Sequence, residues 1–532
     1  MGDTGVMMSQ SQTQPRAHPH PHPHAHAHPL SRRDLLAGLL AAGAAPAFVR
    51  HARAAQRPRF ALGVASGAPT SNSLVLWTRL TGDDLPPEVS VQWELAEDEA
   101  FSRIAARGRE TARADDAHSV HAEPAGLASG RLYWYRFHAL GDASPVGRTR
   151  TAPAPDAAVA RLRLAIASCQ RWDHGHYAAW RDVAAQDLDV VLFLGDYIYE
   201  YASRPLVLRA HEGGEVRTLA QYRARYAQYK SDPLLQAAHA ACPWIVIWDD
   251  HEVENDYAGA QSATLARDFA ARRAAAYRAW WEHMPVPQAL RPRGGALRLH
   301  GRLDWGTLAR LQWIDGRQHR DPQACPPRGR GGSNIVRGAD CPALTDPARS
   351  LLGAAQERWL AEGWSLERPW NLLAQQTLMS RFHFEDPAWS GGRWRTDGWD
   401  GYPAARARLL AVLAERKVPG AVVLGGDLHA HLVSELHADV DDPRSPLVAS
   451  EFCGTSISSN GRSQTLMNLA HAINPHLRYA RSDRRGTLCF TLGADRMEAD
   501  LRVVHDADDP ASAVSSAARF VVAAGRPNVE PA

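Results

Sequence analysis

The chain has 532 residues with 45% hydrophobic content, enough for two or three domains with substantial cores. Its 60 Lys and Arg nearly balance 58 Asp and Glu, leaving a net charge of +2, and no basic run of the kind that tracks a nucleic-acid backbone occurs. A nucleic-acid partner is therefore not expected, and no stretch of about 20 apolar residues predicts an integral membrane span.

Residues 1–54 read as an address. His18, His20, His22, His24, His26 and His28 alternate with Pro and Ala in a compositionally disordered leader. Ser31-Arg32-Arg33-Asp34-Leu35-Leu36 leads into an apolar stretch rich in small residues, and Ala52-Arg53-Ala54 supplies an A-x-A-like cleavage site. This pattern resembles a twin-arginine export signal. It implies removal of residues 1–54, the twin-arginine export machinery as a partner, and a periplasmic or secreted mature protein that receives its metal before export.

From residue 59 to residue 151 short alternating segments dominate, among them Ser73-Leu74-Val75-Leu76-Trp77-Thr78 and Leu132-Tyr133-Trp134-Tyr135-Arg136-Phe137. Period-two alternation with frequent turns predicts a small antiparallel β-sandwich of immunoglobulin or fibronectin type, as a separate domain. An Ala- and Pro-rich linker follows, and then apolar runs alternate with helical stretches at 177–185, 219–230, 265–283, 354–364 and 404–416. Residues 161–505 are thus expected to form a layered α/β domain, its β-sheets flanked by helices. Tyr222, Tyr226 and Tyr229 recur at helical spacing and read as core packing. Residues 506–532 form a C-terminal tail with an amphipathic-looking stretch, whose place the sequence leaves open.

Three apolar runs in that domain stop at acidic signatures. Val190-Val191-Leu192-Phe193-Leu194 precedes Gly195-Asp196-Tyr197-Ile198-Tyr199; Trp244-Ile245-Val246-Ile247-Trp248 precedes Asp249-Asp250-His251-Glu252-Val253-Glu254-Asn255-Asp256; Ala421-Val422-Val423-Leu424 precedes Gly425-Gly426-Asp427-Leu428-His429. A fourth run, Leu162–Ala167, ends in Ser168-Cys169-Gln170-Arg171. Strands buried on both faces bind ligands beyond their carboxyl ends, so these signatures converge on one crevice. Clustered carboxylates away from water require compensating cations, and Cys169 would join them as a thiolate. Polar loops that merely cap helices are the competing reading, and three such clusters at strand ends argue against it.

With those residues in place the chain resembles the PhoD-type alkaline phosphatase and phosphodiesterase family of metallophosphatases. The likeness runs through Gly63-Val64-Ala65-Ser66-Gly67, Leu76-Trp77-Thr78-Arg79, the three acidic signatures, Asp315-Gly316-Arg317-Gln318, Gln375-Gln376, Trp399-Asp400-Gly401-Tyr402 and Glu451-Phe452-Cys453-Gly454-Thr455-Ser456. It implies a metallophosphatase catalytic domain holding Fe(3+) with one or more Ca(2+). The implied metal ligands are Cys169, Asp196, Tyr199, Asp249, Asp256, Asp427 and His429. Asp249 is preferred over Asp250 by motif position, and Asp256 stands where the family pattern often has Asn, which favours a hard divalent cation. His251 and Arg171 are candidates for holding phosphate or protonating the leaving group, with orientation of ligands as the alternative.

The function expected is extracytoplasmic, metal-dependent hydrolysis of phosphate mono- or diesters, with a metal-bound hydroxide as nucleophile and no covalent enzyme intermediate. A phosphate-ester-binding or phospholipase-like protein on the same fold is the alternative. A redox metalloprotein fits less well, because electron transfer needs no second hard cation. Of six cysteines, Cys325 and Cys341 flank a Gly- and Arg-rich loop that a disulfide could close, and no Cys-x-x-Cys pair offers a zinc ribbon.

Overall fold

Continuous apolar runs bounded by turns become strands here because both of their faces are covered. A computed structural model describes residues 58–293, 296–387 and 392–532; the expected export signal and His-rich leader lie outside the described residues. Leu162–Ala167, Val190–Phe193 and Trp244–Val246 pair in parallel, with Val191 opposite both Ala165 and Trp244. On one side the sheet continues antiparallel through Gly486–Leu492, Arg496–Val504, Val514–Ala523 and Val529–Pro531. The amphipathic-looking stretch of the C-terminal tail is thus a strand. On the other side Val64–Gly67 joins Trp244–Val246 in parallel, and Val75–Arg79 and Ser119–Ala122 complete ten strands.

A second sheet of seven strands is built around the parallel set Ala309–Trp313, Trp370–Ala374, Ala421–Gly425 and Leu447–Cys453. One core holds buried side chains of both sheets, including Leu164, Val191, Leu372, Val422 and Phe452, and the Phe452 ring meets Phe490 edge-on at 5.4 Å. Another core packs the helices Gly353–Gly363 and Pro403–Glu415 on the seven-stranded sheet through Leu360, Leu410 and Leu413 against Leu373 and Val423. The helix Leu219–Lys230 starts at a Thr218–Gln221 capping box, and its Tyr222, Tyr226 and Tyr229 are fully buried, as their spacing requires.

In the N-terminal segment, Ile104–Arg113, Glu88–Ala96, Leu132–Ala139, Asp142–Ala143 and Gly147–Arg150 form a five-stranded antiparallel sheet. Val91, Trp93, Tyr135 and Phe137 of that sheet share a small core with Val64, Leu76 and Val120. Its partner layer is therefore the end of the ten-stranded sheet, and residues 57–532 make one compact unit. The division into a sandwich domain at 59–151 and a catalytic domain at 161–505 stands as a proposal, and the two segments are joined here by the pairing of Gly67 with Trp244. Cys325 and Cys341 are disulfide-bonded, whereas Cys169, Cys242, Cys453 and Cys489 are free and buried. Among the described residues no helix is long and apolar enough to cross a membrane.

Gly67 lies where a Cβ would collide with the carbonyl oxygens of Pro285 and Trp244. Gly67→Ala is expected to cost about 1–3 kcal/mol, as overpacking does, and to lower the denaturant midpoint. An unchanged midpoint would show that the junction does not support the sheet.

Candidate metal centre

The strand ends deliver their signatures through a backbone that L-residues seldom adopt. Cys169, Asp196, Asp256, Asp427 and His429 have φ of 59°, 59°, 57°, 63° and 53°. Each such residue costs about 1–2 kcal/mol, so the surroundings must hold it there. The Cys169 amide donates to the Gly195 carbonyl at 3.1 Å and Gln170 to Asp196 at 3.1 Å. The Glu252 carboxylate accepts the amides of Asp196 at 3.1 Å, Tyr197 at 2.6 Å and Asp249 at 2.8 Å, tying two signatures together. Gly195, at φ 112°, lies so close to Asp249 that no side chain fits between the loops. Tyr229 of the buried stripe accepts the Tyr199 amide at 3.2 Å, so a core residue also seats a candidate ligand.

Most of the expected ligands meet. Ligand atoms of Cys169, Asp196 and His429 lie within 4.8 Å of one another. The same holds for Asp196, Asp250 and His251, and for Asp250, Asp256 and Asp397, so Asp196 and Asp250 link three groups into one line. The Tyr199 hydroxyl donates to Asp196 Oδ2 at 2.8 Å, lies 3.4 Å from His429 Nε2, and accepts from Ser459 at 2.9 Å. His429 Nδ1 donates to the Asn460 carbonyl at 2.7 Å, which leaves Nε2 with its lone pair. Asp427 Oδ2 accepts from Thr377 at 3.0 Å, and its charge raises the pKa of both Asp196 and Asp249. Asp249 Oδ1 accepts from Arg317 Nε, and Asp250, paired with Arg317 Nη2 at 3.6 Å, also lies within reach of Asp196.

The electrostatics fit a multivalent cation set. Burial, with neighbouring carboxylates, pushes Asp196 and Asp249 well above the usual carboxylate range and raises Asp427 and Asp256. Burial also drives the Cys169 thiol and the Tyr199 phenol well up, with Asp196 adding to both. His429 is pushed down to about 3 by burial, so it is neutral, as a metal ligand must be. Asp196 Oδ1 is buried with no hydrogen-bond partner, an acceptor aimed at nothing in the protein. Hard carboxylate and phenolate donors with one thiolate and one imidazole suit iron, and the oxygen-rich end at Asp250 and Asp256 suits a hard divalent ion.

His251 donates through Nδ1 to Glu200 Oε2 at 2.7 Å and stacks on Tyr199 at 4.1 Å. Burial opposes its charge, yet Glu200, Asp196 and Asp250 raise it well above the ordinary histidine value. Arg171 is engaged by Asp173, through Nε at 2.7 Å, and lies 5.6 Å over the Tyr199 ring; it makes no hydrogen bond to any expected ligand among the described residues. Sequence reasoning did not single out Asp397, Glu200, Glu252 or Arg395. Arg317 grips Asp397 with two bonds of 2.9 and 3.0 Å and bonds Asp249, and the signal for it was the short Asp315-Gly316-Arg317-Gln318 likeness.

Two family models match the chain: PhoD-like phosphatase over residues 164–501, and the N-terminal domain of PhoD-like phosphatase over residues 43–153. Alkaline phosphatase D of Bacillus subtilis (strain 168) is 42% identical over 481 residues, covering 87% of this chain and 80% of that protein. The solved structure of PhoD aligns with a TM-score of 0.84 at 40% identity, covering 92% of this chain and 93% of that one.

A carboxyl whose folded pKa lies above its unfolded value of about 3.9 destabilises the fold increasingly as pH rises past that value. Asp196, Asp249, Asp256 and Asp427 are all raised. Asp250 and Asp397 are lowered, so their contribution is complete above the unfolded value and adds no slope at higher pH. The melting temperature of chelator-treated protein should therefore fall from pH 5 to pH 8 relative to untreated protein. A gap that stays constant with pH would show that no cation offsets these carboxylates.

Proposed function

The chain belongs to the PhoD-like phosphatase family, and from that premise we propose that it hydrolyses phosphate mono- or diesters at a metal centre built around Asp196. The observation that carries the reading is the convergence of Cys169, Tyr199, Asp250 and His429 on Asp196, whose Oδ1 is buried and unpartnered. Cys169, Asp196, Tyr199 and His429 would hold Fe(3+), with Asp196 shared towards Ca(2+) among Asp249, Asp250, Asp256 and Asp427. Bound there, the cations would polarise the phosphoryl oxygens and lower the pKa of the attacking water.

The chain's own groups orient and supply the proton. Glu200 fixes His251 through Nδ1 and leaves Nε2 as the free ring nitrogen. In hydrolysis the water oxygen bonds to phosphorus, the ester P–O bond breaks, and the departing alkoxide oxygen takes the proton from His251 Nε2. Arg171, held by Asp173 over the Tyr199 ring, keeps a positive charge beside the phenol. Arg317 fixes Asp249 while leaving its other oxygen free of protein donors among the described residues. The N-terminal Arg32-Arg33 pattern supports export by the twin-arginine pathway to the periplasm or medium.

The test is turnover of aryl phosphomonoesters and phosphodiesters by the mature chain, before and after chelation. Chelation should abolish turnover, Asp196→Ala should lower kcat by at least about 100-fold, and His251→Gln by about 100-fold with the larger loss on poor leaving groups. Ester binding without turnover in the untreated chain would favour a phosphate-ester-binding protein instead.

A further inference from the structure

A cleft opens beside Asp427, and the ligand set of the metal centre does not account for its other lining residues. Phe382, Phe384 and Leu428 give it an apolar wall, and Asp427 and Arg395 line it as well. The two phenyl rings meet at 4.7 Å in a T-shaped contact. Arg462 lies with its guanidinium 4.6 Å over the Phe384 ring.

The mounting of Arg395 is stiff. Arg393–Arg395 pairs antiparallel with Ile335–Arg337, Ile335 opposite Arg395, inside the loop closed by the Cys325–Cys341 disulfide. The next residue exchanges bonds with Asn334, 2.8 Å from the Asn334 amide to Thr396 Oγ1 and 2.9 Å from the Thr396 amide to the Asn334 carbonyl. Two residues beyond Arg395, Asp397 is gripped by Arg317 and Arg320. The same loop sends Ser333 to Asp256 Oδ2 at 2.5 Å, so loop, strand and metal centre form one framework.

Arg317 and Arg320 both bond the Asp397 carboxylate, whereas the guanidinium groups of Arg395 and Arg462 make no hydrogen bond among the described residues. Burial works against the Arg395 charge, and Asp427, Asp397, Asp256 and Asp250 sustain it. Burial lowers Arg462, and the charge of Arg395 lowers it further. Two neighbouring cations with open donors, beside a hydrophobic wall, suit a ligand with an anionic end and an apolar body.

Resting on the function proposed above, we propose that this cleft is the ester-recognition subsite: Arg395 and Arg462 hold the non-bridging oxygens of the phosphate group, and Phe384 with Leu428 receives an apolar or aromatic organic substituent. A phosphate ester carrying an aryl or alkyl group would then lie along the cleft with phosphorus at the Asp427 end. The planar guanidinium forks would fix its orientation, and the Phe384 ring would discriminate among substituents.

Metal content, calorimetric affinity for inorganic phosphate, and KM and kcat for bis(4-nitrophenyl) phosphate and for a methyl phosphodiester are measured on the wild type, Arg395→Gln, Arg462→Gln and Phe384→Ala. Each arginine variant should keep its metals, lose about tenfold or more in phosphate affinity and raise KM by a similar factor. Phe384→Ala should raise KM for the aryl ester several-fold and leave the methyl ester unchanged. Unchanged phosphate affinity in both arginine variants would overturn the proposal, as would loss of metal from Arg395→Gln, which would make Arg395 a counter-charge to the carboxylates. A wild type that binds phosphate but cleaves neither ester would overturn the hydrolytic reading, while the phosphate affinities would still decide the subsite.

Discussion

The buried carboxylate of Glu252 collects three backbone amides, those of Asp196, Tyr197 and Asp249, and so joins the two acidic loops. A hydrogen bond to a charged acceptor contributes about 1.5–3 kcal/mol, and here three such bonds oppose a burial that raises Glu252 to about 7. The clamp makes the left-handed backbone at Asp196 tolerable and fixes where its two oxygens point. One is taken by Tyr199 and the other is left without a partner. A residue that binds no substrate thus sets the geometry on which the centre depends.

The same logic runs through the neighbouring layer. Arg317 joins Asp249 and Asp397, and Gln376 donates to the carbonyls of Trp248 and Ile314 at 3.0 and 2.9 Å, so the second sheet holds the loop that follows Trp244–Val246. Ser459 ties the arrangement together, its hydroxyl oxygen lying 2.8 Å from the Cys169 carbonyl oxygen and 2.9 Å from the Tyr199 hydroxyl. Carboxylates crowded in this way repel one another and resist ionisation, and multivalent cations offset both effects. Charge compensation therefore links the fold to phosphate chemistry, because the cations that satisfy the ligands also attract the phosphoryl oxygens.

The apolar strands were legible because burial on both faces leaves a composition that few other environments permit. The helix at Leu219–Lys230 was legible to the residue, because Thr218 and Gln221 cap it. Val514–Ala523 was not, since its alternation is blurred by alanines and half-covered positions. The strand-end motifs that carry the expected ligands from Cys169 to His429 could be read in the sequence, but which of Asp249 and Asp250 comes near Asp196 could not, because a turn follows Trp248 and breaks the alternation that would assign their faces. Arg395, and Asp397 two residues beyond it, carried no signal at all: the three-residue strand Arg393–Arg395 has no period of its own, and its partner lies about 60 residues away in a disulfide-closed loop.

Under the proposed function Tyr199 and Asp196 would hold one ferric ion beside calcium. Elemental analysis of the mature protein, with a visible spectrum of wild type and Tyr199→Phe, tests it most directly. The account predicts iron together with calcium, and a phenolate-to-iron charge-transfer band that is absent from Tyr199→Phe. A colourless wild type holding zinc or no metal, or a band that survives in Tyr199→Phe, would contradict it.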